Sequence, residues 1–129
     1  MSNFEKNLEQ ALINAKRLTD KILIDGKLIS AQSKNKIPVL NPSTGENIGS
    51  APQCDKNDVN TAVESAHKAF QKWKKIPARE RGKMVAAGAK RLEERKSEIE
   101  TLLSLDTGNA LRTQAIPETG ASIELTNMF

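Results

Sequence analysis

The sequence predicts an α+β fold: an N-terminal helix, then β-hairpins, then a group of packed helices. Three observations predict it. Apolar residues recur at helical spacing over the first eighteen positions, two pairs of short extended runs flank turn-forming residues between Lys21 and Ala51, and every later segment carries helical periodicity. The corresponding boundaries are 1–20 for the N-terminal helix, 21–53 for the hairpin and strand region, and 54–129 for the helices.

From Ser2 to Leu18, the residues Phe4, Leu8, Ala11, Leu12, Ala15 and Leu18 fall on one stripe of a surface helix. Lys21 to Ile24 and Lys27 to Ile29 then flank Asp25-Gly26, a pair that tolerates the positive φ of a tight primed turn, so a hairpin is expected. Ser30 to Lys36 is polar and reads as a loop. Ile37 to Leu40 is extended again, and Pro42 keeps Asn41 out of helix. The turn at Ser43-Thr44-Gly45-Glu46 returns the chain through Asn47 to Ala51 as a partner strand.

Asp55 is placed to cap a helix, with Asp58 in its first turn favoured by the helix dipole. Val59, Val63, Ala66, Phe70 and Trp73 form the stripe expected to be buried. Pro77 opens the next helix, where its missing N–H is harmless, and Val85, Ala89 and Leu92 form its inner face. Ser97-x-x-Glu100 resembles a capping box for a third helix, which Gly108 stops. Pro117 and Glu118 begin a last helix through Ala121, Leu125 and Met128. The final Asn127-Met128-Phe129 carries no stop signal, so the fold is expected to continue beyond Phe129.

Composition narrows the function classes. In 129 residues the apolar share is 37% and the aromatic share 3%, so the core rests on Ala, Leu, Ile and Val and is thin. The net charge is +4, but 20 Lys and Arg are interleaved with 16 Asp and Glu, which describes solvated helix faces. The single Cys excludes an internal disulfide. With no signal-peptide pattern and with Glu5 and Glu9 opposing a transit peptide, a cytoplasmic location is the default. No apolar run approaches the roughly 20 residues of a membrane helix.

Individual reactive groups point to little chemistry. Cys54 precedes a helix start, which can lower a thiol pKa, but Asp55 opposes a thiolate and no second catalytic group accompanies it. His67 lies on the flank of the Val59 stripe and reads as a partly buried structural imidazole, with no second ligand at metal-binding spacing. Neither G-x-G-x-x-G nor a Walker-type loop is present. The basic stretch Lys68 to Lys75 could neutralise nucleic-acid phosphates, but Phe70 and Trp73 share a face with Val59 and Val63 and are expected in the core. Asp106 stands out because a carboxylate at a helix C-terminus is opposed by the dipole. A turn-forming cap accounts for it, and a bound cation is the other reading.

Taken in order, Ile22-Leu23-Ile24-Asp25-Gly26-Lys27, Asn41-Pro42-Ser43-Thr44-Gly45-Glu46-Asn47-Ile48-Gly49, the Asp58 to Trp73 helix, Pro77-Ala78-Arg79-Glu80-Arg81 and Leu105-Asp106-Thr107-Gly108-Asn109 resemble the N-terminal part of the NAD(P)-dependent aldehyde dehydrogenase superfamily. The resemblance implies an α/β enzyme with a Rossmann-type cofactor domain, of which this chain would supply the opening quarter. It implies oxidation of an aldehyde to a carboxylic acid with NAD or NADP, and a homo-oligomer when full length. The family's nucleophilic Cys, its Glu base and its cofactor-binding glycines lie in later segments. Cys54 does not match the nucleophile, so no catalytic residue carries over and this chain alone is expected to be inactive.

The resemblance also implies a structural monovalent cation, K+ or Na+, held by the Asp106 side chain and the backbone carbonyls of Val39 and Leu40, with at least one further ligand beyond Phe129. Oxygen donors suit such a hard ion. Two alternatives from other classes are a small helical protein that binds a partner through its apolar last helix, and a basic nucleic-acid-binding module.

Overall fold

A computed structural model describes residues 3–128, with side chains from Glu5 onward. The expected stripe residue Phe4, as a side chain, and the terminal Ser2 and Phe129 lie outside the described residues. The chain runs α1 (Asn3–Leu18), β1 (Lys21–Ile24), β2 (Lys27–Ser30), β3 (Lys36–Leu40), β4 (Asn47–Pro52), α2 (Lys56–Trp73), α3 (Ala78–Glu94), α4 (Lys96–Thr107), a π-helical turn at Leu111–Ala115, and α5 (Ile116–Asn127). The α+β arrangement expected from the sequence is therefore present.

Local turn chemistry builds both hairpins. Asp25 and Gly26 have φ of 53° and 71°, the two successive positive values of a primed two-residue turn, and β1 and β2 pair antiparallel from Lys21–Ser30 to Ile24–Lys27. Strands β3 and β4 form a separate antiparallel pair, Lys36 opposite Pro52 and Leu40 opposite Asn47, with a register shift between Val39 and Leu40. Asp20 anchors α1 to this second hairpin. Its N–H donates to the Ser50 carbonyl at 3.1 Å, and its carboxylate accepts the Ser50 hydroxyl at 2.7 Å and the Lys36 ammonium.

Helix α1 packs on α4, α3 on α5, and α4 on α5, while α2 leans only lightly on β1. Among the described residues the buried apolar ones are Ala11, Ile24, Ala89, Ala115 and Ile123, which is the thin core that the composition predicts. None of the described helices is long and apolar enough to cross a membrane.

The structure corrects the expected core of α2. Val59, Val63 and Phe70 are 53%, 61% and 52% exposed, and Trp73 is also exposed. The covered side is the neighbouring line Asp58, Ala62 and Ser65, buried or half-buried, one residue and so about 100° away around the helix. The reason is what the chain supplies for α2 to pack against: a two-stranded hairpin is too narrow to cover the whole apolar arc.

A polar clamp holds α2 in place. Asp55 caps it by accepting the N–H groups of Asn57 at 2.8 Å and Asp58 at 3.0 Å, while the Asp58 carboxylate reaches back to the Asp55 N–H at 3.2 Å. This is a capping box with Asp in the position usually held by Glu. Asp58 does more. It also accepts the Gln32 N–H at 2.7 Å and the Ser33 N–H at 3.4 Å, so one buried carboxylate joins the loop after β2 to the start of α2.

The expected box at Ser97 and Glu100 does not form. Arg95 both ends α3 and precedes α4 without a side-chain cap, leaving no extended residue in which Ser97 could serve. Ser97 lies inside α4, where its carbonyl accepts the Thr101 hydroxyl at 2.8 Å. Arg95 instead grips Glu98 through two hydrogen bonds, Nε to Oε2 at 3.0 Å and Nη2 to Oε1 at 2.5 Å. Along α3, Val85 is half-buried and Ala89 buried, but Leu92 remains 38% exposed.

The Gln32 N–H is the main reason the Asp58 carboxyl titrates below its ordinary value; burial opposes it, and the Asp55 and Ser33 N–H groups add to it. A carboxylate lowered in the folded state stabilises the fold above its unfolded pKa, about 3.9, and loses that contribution as pH falls through the lower folded value. Acid titration of the thermal midpoint should therefore show a fall below about pH 4 that is shallower in Asp58→Asn. Asp55→Ala should cost about 0.5–2 kcal/mol in a denaturant melt, the ordinary loss of a helix cap.

Candidate functional site

The region that the sequence marks for ion binding is a corner where the β3–β4 turn meets the end of α4. Asn41 organises the first half and is itself buried. Its side-chain Oδ1 accepts the Ser43 N–H at 2.9 Å, its carbonyl accepts the Gly45 N–H at 2.7 Å, and its own N–H donates to the Glu46 carbonyl at 2.9 Å. Those bonds fix an Asx-type turn with Pro42 at its tip. Gly45 takes the positive φ of 74° that the turn requires.

The second half is the α4 terminus. Gly108 adopts the left-handed conformation at φ 75° and donates its N–H to the Ser104 carbonyl at 3.1 Å. The Ser104 hydroxyl donates to the Asn109 carbonyl at 2.7 Å, and the Thr107 hydroxyl to the Leu103 carbonyl at 2.7 Å. Asn109 Nδ2 lies 3.3 Å from both oxygens of Glu118, which ties the corner onward to α5.

Pro42 and Gly108 join the two halves. A Cβ on Gly108 would stand 2.9 Å from Pro42 Cγ, closer than side-chain carbons approach, so the corner closes only because position 108 lacks one. Val39 and Leu40 flank the register shift just before this contact, and Asp106 lies two residues before it on α4. Val39 is half-buried; Leu40 and Asp106 are exposed. Among the described residues, no group of three or more His, Cys, Asp or Glu is placed to hold a metal ion. Carboxylate and carbonyl oxygens of the kind found at this corner suit a hard cation and not zinc.

The remaining reactive side chains stand apart. Cys54 is exposed, between β4 and the α2 cap. His67 is exposed as well, 3.1 Å from the Gln71 side-chain nitrogen, which corrects the expectation of a partly buried imidazole. The cause is the same as for the Val59 line, since the flank on which His67 sits is uncovered. A groove between α2 and the first hairpin has Ile24, Ala66, Ala69, Phe70, Trp73 and Ile76 among its lining residues, together with polar ones such as Glu64 and Lys68. No local pattern marks it, because its two walls are distant in the chain.

Gly108→Ala should destabilise the fold by about 1–2 kcal/mol, combining a non-glycine residue at positive φ with the clash against Pro42. Adding Pro42→Ala should return part of that loss, which a double-mutant cycle in urea would measure.

Comparison with known proteins matches this arrangement to one family. The aldehyde dehydrogenase family model matches residues 28–129. Phenylacetaldehyde dehydrogenase of Pseudomonas fluorescens is 35% identical over 114 residues, covering 87% of this chain and 23% of the relative. The crystal structure of HpcC from Thermus thermophilus superposes with a TM-score of 0.89 at 26% identity, over 96% of this chain and 24% of that one. Betaine aldehyde dehydrogenase from Staphylococcus aureus, solved in complex with NAD+, superposes with a TM-score of 0.84 at 27% identity, over 94% of this chain and 24% of that one. The chain thus spans about a quarter of the length of the relatives it matches. With the family model, the relatives and the superposed structures all in agreement, this chain belongs to the aldehyde dehydrogenase family.

Proposed function

We propose that this chain is the opening part of an NAD(P)-dependent oxidoreductase that converts an aldehyde to a carboxylic acid. The observation that carries the reading is the agreement of 96% of this backbone with one quarter of HpcC, a much longer chain. The phenylacetaldehyde dehydrogenase relative and the NAD+ complex of the S. aureus enzyme support the substrate class and the cofactor. No residue here is assigned to catalysis or to the nucleotide. The chain has one thiol, exposed and without a neighbouring base in the sequence, and no glycine-rich phosphate loop. The divisions 1–20, 21–53 and 54–129, a cytoplasmic location and homo-oligomerisation of the whole protein belong to the same proposal.

Within that reading, Asp106 with the Val39 and Leu40 carbonyls contributes to a structural K+ or Na+ site. The Pro42–Gly108 contact supports it by bringing the two segments that carry these oxygens against each other. A carboxylate at the end of α4 is opposed by the helix dipole, typically by about 0.3–1 kcal/mol, and a bound cation reverses that sign. The oxygens bind and position the ion; they move no proton.

Two measurements test the proposal. The purified chain, supplied with phenylacetaldehyde and either nicotinamide cofactor, should produce no reduced cofactor; turnover abolished by Cys54→Ser would contradict the reading of inactivity. In a whole enzyme that has this chain as its opening part, Asp106→Asn should reduce the rise in melting temperature caused by K+ or Na+. An unchanged ion dependence would make Asp106 a turn former only.

A further inference from the structure

A cleft of about 370 Å³ opens where the loop after β2 meets β3 and β4, with Asp20, Ser30, Ser33, Lys34, Asn35 and Lys36 in its lining. Its hydrogen bonds leave donors over. The Ser30 hydroxyl oxygen accepts the Lys21 ammonium at 3.1 Å, and the Ser33 hydroxyl oxygen accepts the Asn35 N–H at 3.2 Å, which leaves both hydroxyl hydrogens uncommitted. Among the described residues Lys34 pairs with no carboxylate.

The acceptors around the same loop are already taken. Asp20 accepts the Ser50 hydroxyl and the Lys36 ammonium, Asp58 accepts the Gln32 and Ser33 N–H groups, and the Asn35 carbonyl accepts the Gln53 N–H. In the lining, Asp20 is the one carboxylate against Lys34 and Lys36, and Ser30 holds Lys21 at the edge. Two other concavities lack this pattern. The groove beside α2 balances Lys68 and Lys72 with Asp25 and Glu64, and in the one between α1 and β4 the Thr19 and Ser50 hydroxyls already donate, to the Ala15 carbonyl and to Asp20.

We propose that this cleft binds a phosphate group, free or carried on a small molecule. A lining with hydroxyl and ammonium donors to spare and its acceptors occupied suits a ligand that only accepts, and charge-assisted bonds to an anion are the strong ones. The donors come from β2 at Ser30, from the loop at Ser33 and Lys34, and from β3 at Lys36, a spread that a tetrahedral anion meets better than a planar carboxylate. Asp58 holds the loop through Gln32 and Ser33, so these donors are in place before the ligand arrives. The site is independent of aldehyde oxidation.

The test titrates inorganic phosphate into the isotopically labelled chain at constant ionic strength and follows the backbone amides by NMR. Saturable shifts should appear from Ser30 to Lys36. Lys34→Ala, which removes a side chain that makes no bond within the chain, should weaken binding about tenfold or more, and Ser30→Ala should weaken it in the same direction. Lys72→Ala, in the groove beside α2, should leave the affinity unchanged. A parallel titration with glycerol phosphate separates the two sources: tighter binding than inorganic phosphate identifies a phosphomonoester as the ligand, and equal binding identifies the free anion. Shifts that do not saturate, that acetate or chloride reproduces at the same ionic strength, or that survive Lys34→Ala at full affinity overturn the proposal.

Discussion

One buried carboxylate determines where the middle of this chain sits. Asp58 gathers the N–H groups of Gln32, Ser33 and Asp55, three backbone donors from two separate segments. Backbone donors satisfy a carboxylate without the desolvation cost of a second charge, so the group can be buried and remain ionised. The direction of α2 follows from this. A helix whose apolar line is open to solvent has little hydrophobic reason to lie where it does, and its start is fixed by hydrogen bonds instead.

A second constraint acts at the opposite end of the hairpin region. The Pro42–Gly108 approach sets the separation between the β3–β4 turn and α4, and it tolerates no added carbon. Together the two constraints tie the loop after β2 to the start of α2 and the β3–β4 turn to the end of α4. Both are short-range contacts between loop residues and helix ends, which explains how a chain with so few buried apolar side chains adopts a defined arrangement.

Features decided by adjacent residues were legible in the sequence. Asp25-Gly26 marked its own turn, Asp55 its own cap, and Gly108 its own helix end, because each depends on backbone conformation within a few positions. Which side of α2 is covered depends on the width of a hairpin thirty residues earlier, and periodicity alone reports only that an apolar side exists. The Ser97 box is absent because Arg95 joins α3 to α4 with no extended residue between them, and the π-helical turn at Leu111–Ala115 has no capping residue to mark its start in the sequence. At the candidate site, local reasoning singled out Asp106 by its opposition to the helix dipole. Val39 and Leu40 came only with the family resemblance, since a backbone carbonyl leaves no mark on the residue that bears it.

The central claim is that polar bonds at its start, and not its apolar line, hold α2 in this chain. Amide hydrogen exchange along α2 tests it most directly, comparing Asp58→Ala with the pair Val59→Ser and Val63→Ser in the isolated chain. Protection across α2 should collapse in Asp58→Ala and persist in the serine pair. Persistence in Asp58→Ala together with collapse in the serine pair would contradict the account, because the exposed valines would then be the residues that hold the helix.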